Sequence, residues 1–299
     1  MASFMFEGLS VALVTPMDEN LEIDRTAYEK HLRYQIEGGV DHLVVCGTTG
    51  ESPNITDDEF EYLISKAVEM AKGKCGVIAG TGSNSTALSI KRSKMAEQLA
   101  ADGILLVGPY YNKPTEPGLL AHFFAIADAV DLPAIIYNVP GRSSLNILPE
   151  TIVKLSVHRN IVAVKEASGD ISQIMEIIAN APKDFSVLAG DDSMTLPTVA
   201  CGGCGVISVS SNQAPALMKH YVEACLSGDL KKARREHYKL LPLFQANFWE
   251  SNPLPVKAAL AYMGRMQNTF RLPLVPMDEK YALPLQAVLR NLKLLPDEK

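Results

Sequence analysis

The chain has 299 residues, of which 47% are hydrophobic and 21% charged, with a net charge of −6 and five cysteines. A globular chain of this length buries about three quarters of its unfolded surface, so its core requires neither disulfides nor a structural metal. The thin negative charge argues against nucleic acid or anionic membrane as a partner, and no stretch reaches the roughly 18 apolar residues of a membrane span.

In chain order, Met1 to Gly8 carries no basic n-region, and the apolar stretch behind it ends in Thr15-Pro16. It reads as a first strand over 11–16 and not as an export signal, so the expected location is cytoplasmic. Further short apolar runs rich in β-branched residues fall at 42–48, 76–82, 103–111, 133–140, 161–167, 185–192 and 205–211. Between them lie segments with apolar residues at three- and four-residue spacing, such as 57–72 and 86–101, which predict helices. Regular alternation of strand and helix means a parallel sheet with right-handed crossovers, and eight units in about 250 residues fit a (β/α)8 TIM barrel. A doubly wound open sheet is the competing architecture. After residue 226 the alternation stops, and helices are predicted near 229–250, 255–267 and 279–293. The expected organisation is therefore a catalytic barrel over 1–226 and a C-terminal helical domain over 227–299.

Cys46, Cys75, Cys201, Cys204 and Cys225 form an odd, scattered set suited to reduced thiols. Cys201-Gly-Gly-Cys204 has the spacing of redox and zinc sites, but no second pair or neighbouring histidine completes one. No metal site is expected.

Catalytic groups of such a barrel sit where its strands end. One strand ends in Lys165, within Ile161-Val-Ala-Val-Lys-Glu-Ala-Ser-Gly-Asp170, so an amine is carried to the edge of a core. Low dielectric disfavours the ammonium form, and the neutral amine can condense with a ketone. A lysine paired with a carboxylate at the strand end is the plainer reading. The adjacent Glu166 should point to the opposite face. Asp191-Asp192 reads as helix capping before Ser193, and Asn252-Pro253-Leu254-Pro255 as the fixed start of a C-terminal helix.

Gly47-Thr-Thr-Gly-Glu51, Tyr110-Tyr-Asn-Lys-Pro114, Tyr137-Asn-Val-Pro-Gly-Arg142, Lys165-Glu-Ala-Ser-Gly-Asp170 and Asn252-Pro-Leu-Pro-Val-Lys257 occur together and in this order. Together they resemble the dihydrodipicolinate synthase family, nearly end to end. The resemblance implies that Lys165 forms an imine with pyruvate, whose enamine adds to L-aspartate 4-semialdehyde, with no cofactor beyond that imine. It implies Tyr137 as acid/base, with Thr48 and Tyr111 completing a proton relay and Tyr111 supplied by the neighbouring subunit of a tight dimer. Thr49 would cradle the pyruvate carboxylate, Arg142 would receive the carboxylate of the semialdehyde, and Gly190 and Ile207 would line the pyruvate pocket. A homotetramer built from tight dimers is the family's default. The wider superfamily leaves an alternative, a pyruvate lyase acting on N-acetylneuraminate or a 2-keto-3-deoxy sugar acid, against which Arg142, Thr48 and Tyr111 argue.

Some members of that family bind lysine as an inhibitor through residues matching Ser52, Asn84, Tyr110 and an acidic side chain. Here Leu88 stands at the acidic position, with Asp57 and Phe60 at two neighbouring ones. A leucine cannot offset the desolvation of an ammonium group, so weak or absent inhibition is expected, with Asp57 as a partial substitute.

Overall fold

The computed structural model describes residues 6–296. Strands β1 (Gly8–Ala12), β2 (His42–Val45), β3 (Gly76–Gly80), β4 (Gly103–Val107), β5 (Ala134–Asn138), β6 (Ile161–Glu166), β7 (Ser186–Ala189) and β8 (Gly205–Ser208) close into a barrel in sequence order. Every neighbouring pair is parallel, and β8 pairs with β1 from Gly8↔Gly205 to Val11↔Ser208. The sheet is thus closed, which sets aside the doubly wound alternative.

Helices α1 (Arg25–Glu37), α2 (Asp57–Ala71), α3 (Thr86–Gln98) and α4 (Glu116–Ala127) form the first crossovers. The short α5 (Pro140–Ser143) and α6 (Pro149–Leu155) join β5 to β6, and α7 (Ile171–Asn180), α8 (Thr195–Ala200) and α9 (Pro215–Leu226) complete the outer ring. Local chemistry fixes these starts. Thr56 and Glu59 form a reciprocal capping box on α2, Asp24 caps α1 and Asp170 caps α7. Helices α10 (Leu230–Ala246), α11 (Leu254–Tyr262) and α12 (Ala282–Asn291) follow the barrel.

The barrel interior is filled by Ala12, Val44, Ile78, Leu105, Ile135, Ala163, Leu188 and Ile207, one from each strand, closed below by Phe6 and Cys204. The opposite faces join a larger apolar layer between strands and helices, which also takes in Leu240, Leu243 and Phe244 of α10 and Leu285 and Leu289 of α12. The C-terminal helices therefore share the barrel's outer core.

The strand ends differ from the sequence reading. The first strand runs from Gly8 to Ala12 and not over 11–16. Leu13 and Val14 are equally buried, but the Val14 amide donates to Asn212 Oδ1 at 3.1 Å, outside the strand ladder. The second strand stops at Val45 because Cys46 turns into the left-handed region at φ 57°.

Candidate active site

Strand register puts Lys165 beside Tyr137, since these residues pair between β6 and β5. Both side chains point into the barrel, above Ala163 and Ile135, while their partners Glu166 and Asn138 face outward. Lys165 Nζ lies 4.2 Å from the centroid of the Tyr137 ring. The outward pair is satisfied separately: Glu166 accepts from Asn138 Nδ2 at 3.0 Å, from Gln173 Nε2 at 3.2 Å and from the Ser168 amide at 2.7 Å. Glu166 thus ties β5 to β6 and, among the described residues, leaves Lys165 without a carboxylate partner in hydrogen-bonding contact.

Lys165 is only 5% exposed. Burial lowers its pKa to about 8; the buried Asp192 carboxylate works against that shift and the Arg142 guanidinium with it. Asp192 is itself fixed, accepting from the amides of Val209 at 3.2 Å and Ser210 at 2.9 Å, and burial raises its carboxyl pKa. Asp191 caps Ser193, accepting from its amide at 2.9 Å. Burial pushes the Tyr137 phenol up to about 12, while Arg142 and the hydroxyl of Thr48 pull the other way. The phenol is therefore a proton donor at neutral pH, coupled to the Thr48 hydroxyl.

Thr48, Thr49 and Gly50 form a single 3-10 turn after β2. A Cβ on Gly50 would sit 3.0 Å from the Leu13 carbonyl oxygen, a tight contact that glycine avoids where the turn packs on the chain leaving β1. At Gly190 a Cβ would meet the Cβ of Ala167 at 2.6 Å, which keeps the opposite wall equally tight. These residues enclose a cavity of about 110 Å³ whose lining includes Thr48, Thr49, Tyr137, Arg142, Lys165 and Gly190. That is ample space for a small keto acid. Thr48, Val139 and Arg142 also line an adjoining cleft of about 330 Å³, which offers room for a second reactant.

Arg142 stands at the junction of the two spaces, its Nη2 donating to the backbone carbonyl of Asn252 at 2.9 Å. Asn252 also donates from Nδ2 to Thr49 Oγ1 at 2.9 Å, and it lines the small cavity. This corrects the reading of the Asn252 segment as helix packing alone. The residue orients both expected carboxylate binders, and no local pattern could have revealed a contact across 203 positions of sequence. Ile207 belongs to the apolar floor of the barrel and does not border the cavity, where Val209 takes the wall. Tyr111 is 89% exposed at φ 72° and does not border the cavity of its own chain.

A family model described as the dihydrodipicolinate synthetase family matches residues 5–292. A 4-hydroxy-tetrahydrodipicolinate synthase of Thermotoga neapolitana is 50% identical over 295 residues, covering 97% of this chain and 100% of the relative. Among solved structures, the dihydrodipicolinate synthase of Thermotoga maritima superposes with a TM-score of 0.95 at 47% identity, over 97% of this chain and 100% of that one. The chloride-inhibited dihydrodipicolinate synthase of Acinetobacter baumannii, solved in complex with pyruvate, gives a TM-score of 0.95 at 39% identity, over 97% of this chain and 99% of that one.

Proposed function

The chain belongs to the dihydrodipicolinate synthetase family, and from that premise we propose how its own residues condense pyruvate with L-aspartate 4-semialdehyde. The enzyme is a lyase that makes 4-hydroxy-tetrahydrodipicolinate, the first committed step of diaminopimelate and lysine biosynthesis. The observation that carries the residue assignment is the buried amine of Lys165, 4.2 Å from the Tyr137 ring, in the wall of a cavity of about 110 Å³.

Neutral Lys165 attacks the keto carbon of pyruvate while the pyruvate carboxylate rests on the Thr48-Thr49 turn. Tyr137 gives its proton to the departing keto oxygen, which leaves as water, and Thr48 and Tyr111 return a proton to the phenol. The protonated imine draws electrons from the methyl group, which loses a proton to the Tyr137–Thr48–Tyr111 relay to form the enamine. That carbon attacks the aldehyde of the semialdehyde, held by Arg142 through its carboxylate, and the new alkoxide takes its proton back from the same relay. The amine of the bound substrate then attacks the imine carbon, closing the ring and releasing Lys165 as a free amine. The lysine imine takes the place of an external cofactor.

Tyr111 can join this relay only from a second copy, because its ring lies outside its own chain's cavity. A tight dimer is the assembly this reading requires, and a tetramer of two such dimers is the form we propose. The C-terminal helical unit proposed over 227–299 lends Asn252 to the site. Among the described residues no helix is long and apolar enough to cross a membrane, and a cytoplasmic enzyme fits a substrate pair of small metabolites.

The assignment of Arg142 is tested by offering pyruvate with different aldehydes. L-Aspartate 4-semialdehyde should be turned over roughly 10–100-fold more efficiently than an uncharged sugar aldehyde, because only the former offers Arg142 a carboxylate, and a hydrogen bond to a charged group contributes about 1.5–3 kcal/mol. Comparable kcat/KM for the two would favour the sugar-acid reading.

Lysine should inhibit weakly. Leu88 lines the 330 Å³ cleft together with Ser52, Arg92 and Tyr110, so this wall offers no carboxylate to an ammonium group. Asp57 does not substitute, since it is engaged by Lys91 at 2.5 Å and Arg92 at 3.7 Å, and Phe60 is fully buried in the outer core. Steady-state rates should hold at submillimolar lysine; half-inhibition in that range would contradict the account.

A further inference from the structure

The turn that bears Thr48 and Thr49 opens a loop running to Asp57, and this loop is held at three points by residues C-terminal to the barrel. Asn252 donates to Thr49 Oγ1 at 2.9 Å. Lys257 of α11 meets Glu51 Oε1 at 2.6 Å, with both side chains fully buried. Arg271 donates from Nη1 to the Asn54 carbonyl at 2.7 Å and to Glu59 Oε2 at 2.8 Å, and its Nη2 also reaches Glu59.

The middle contact is the least expected. Glu51 adopts φ 58°, ψ 37°, a left-handed conformation that costs a residue with a side chain about 1–2 kcal/mol and that glycine would adopt freely. Lys257 is withdrawn entirely from water, with Nζ 4.4 Å from the Phe270 ring. A buried ion pair is rarely more stabilising than an apolar pair of equal volume. What it does supply is direction. Glu51 immediately follows the Thr48–Gly50 turn, so fixing its carboxylate from α11 fixes the end of that turn, while Thr15 Oγ1 holds the Gly50 carbonyl at 2.8 Å from the β1 side.

We propose that Lys257, acting through Glu51, is a positioning residue for the Thr48–Thr49 turn, and that the segment from Asn252 to Arg271 is a structural part of the pyruvate site. The inference rests on the assignment of that turn to the pyruvate carboxylate. Neither Lys257 nor Glu51 borders the small cavity, so their effect is on the placement of the threonines and not on the chemistry.

The test separates placement from stability. Lys257→Met strands a buried carboxylate and should lower both the melting temperature and pyruvate affinity. The double variant Glu51→Gln/Lys257→Met removes both charges at nearly constant volume. Its melting temperature should return to within a few degrees of the wild type, while the pyruvate concentration that half-saturates borohydride trapping at Lys165 stays at least tenfold raised. A double variant whose pyruvate requirement returns to the wild-type value together with its melting temperature overturns the proposal, as does Lys257→Met with unchanged pyruvate affinity. Failure of the wild type itself to trap pyruvate at Lys165 would instead strike the underlying reading of the site, and is distinguished by needing no variant at all.

Discussion

Lys165→Met loses the condensation activity, by at least about 10⁴-fold in kcat/KM, and melts at a higher temperature than the wild type. Both effects have one cause. The amine is held near pKa 8 by burial, against 10.5 when free, so the folded protein binds fewer protons than the unfolded chain between those values. Stability therefore rises with pH across this window, and below about pH 8 the amine carries its full penalty. A shift of this size corresponds to about 3 kcal/mol at pH 7, on the order of several degrees in melting temperature. Methionine has nearly the same length and no charge to desolvate. The gain should shrink as the pH approaches the unfolded-chain value, because there the wild-type penalty disappears. In the wild type, roughly a tenth of the molecules hold the neutral amine at pH 7, so imine formation should accelerate close to tenfold per unit below about pH 7, about fivefold from pH 7 to 8, and level above about pH 9. Calorimetry and rapid-quench trapping across pH check the two halves. A Lys165→Met protein that is less stable at pH 7, or that retains appreciable turnover, would contradict them.

Tyr137→Phe is expected to slow imine formation by about 10²–10⁴-fold while leaving the fold intact. The ring stays beside Lys165 Nζ, where it now sits at 4.2 Å, and the apolar floor is unchanged. Only the hydroxyl is lost. Because burial raises that phenol to about 12, it is protonated throughout the neutral range and acts as a donor to the departing keto oxygen. The deficit should therefore fall on the dehydration step, measured as the rate of borohydride-trapped adduct under single-turnover conditions. A variant within tenfold of the wild type in that rate would remove Tyr137 from the relay.

The parts of this site visible in the sequence are those whose chemistry is set by one strand. Lys165 shows itself because a β-branched run places an amine in a core, and Glu166 because adjacent strand residues face apart, as its bonds to Asn138 and Gln173 show. The barrel is legible from eight apolar runs, although their ends are not. Residues past the strands, such as Thr49, Thr195 and Ser210 to Asn212, are as buried as the strands themselves, so composition carries the pattern beyond the point where the backbone turns. Val14 makes the same point at the first strand, its amide taken by Asn212 from the turn after β8, the strand that pairs with β1. Asn252 and Lys257 were hidden for a different reason. A proline-flanked asparagine before an apolar run is an ordinary helix start, and only closure of the fold brings it to Thr49, Arg142 and Glu51.

The central claim is that the Lys165 amine captures pyruvate covalently. Incubating the wild-type protein with pyruvate and borohydride, then mapping the modification by peptide mass spectrometry, tests it without any variant. One reduced pyruvate per chain, on the peptide carrying Lys165, is the predicted result. An unmodified chain, or label on Lys257 or a surface lysine with Lys165 untouched, would contradict it.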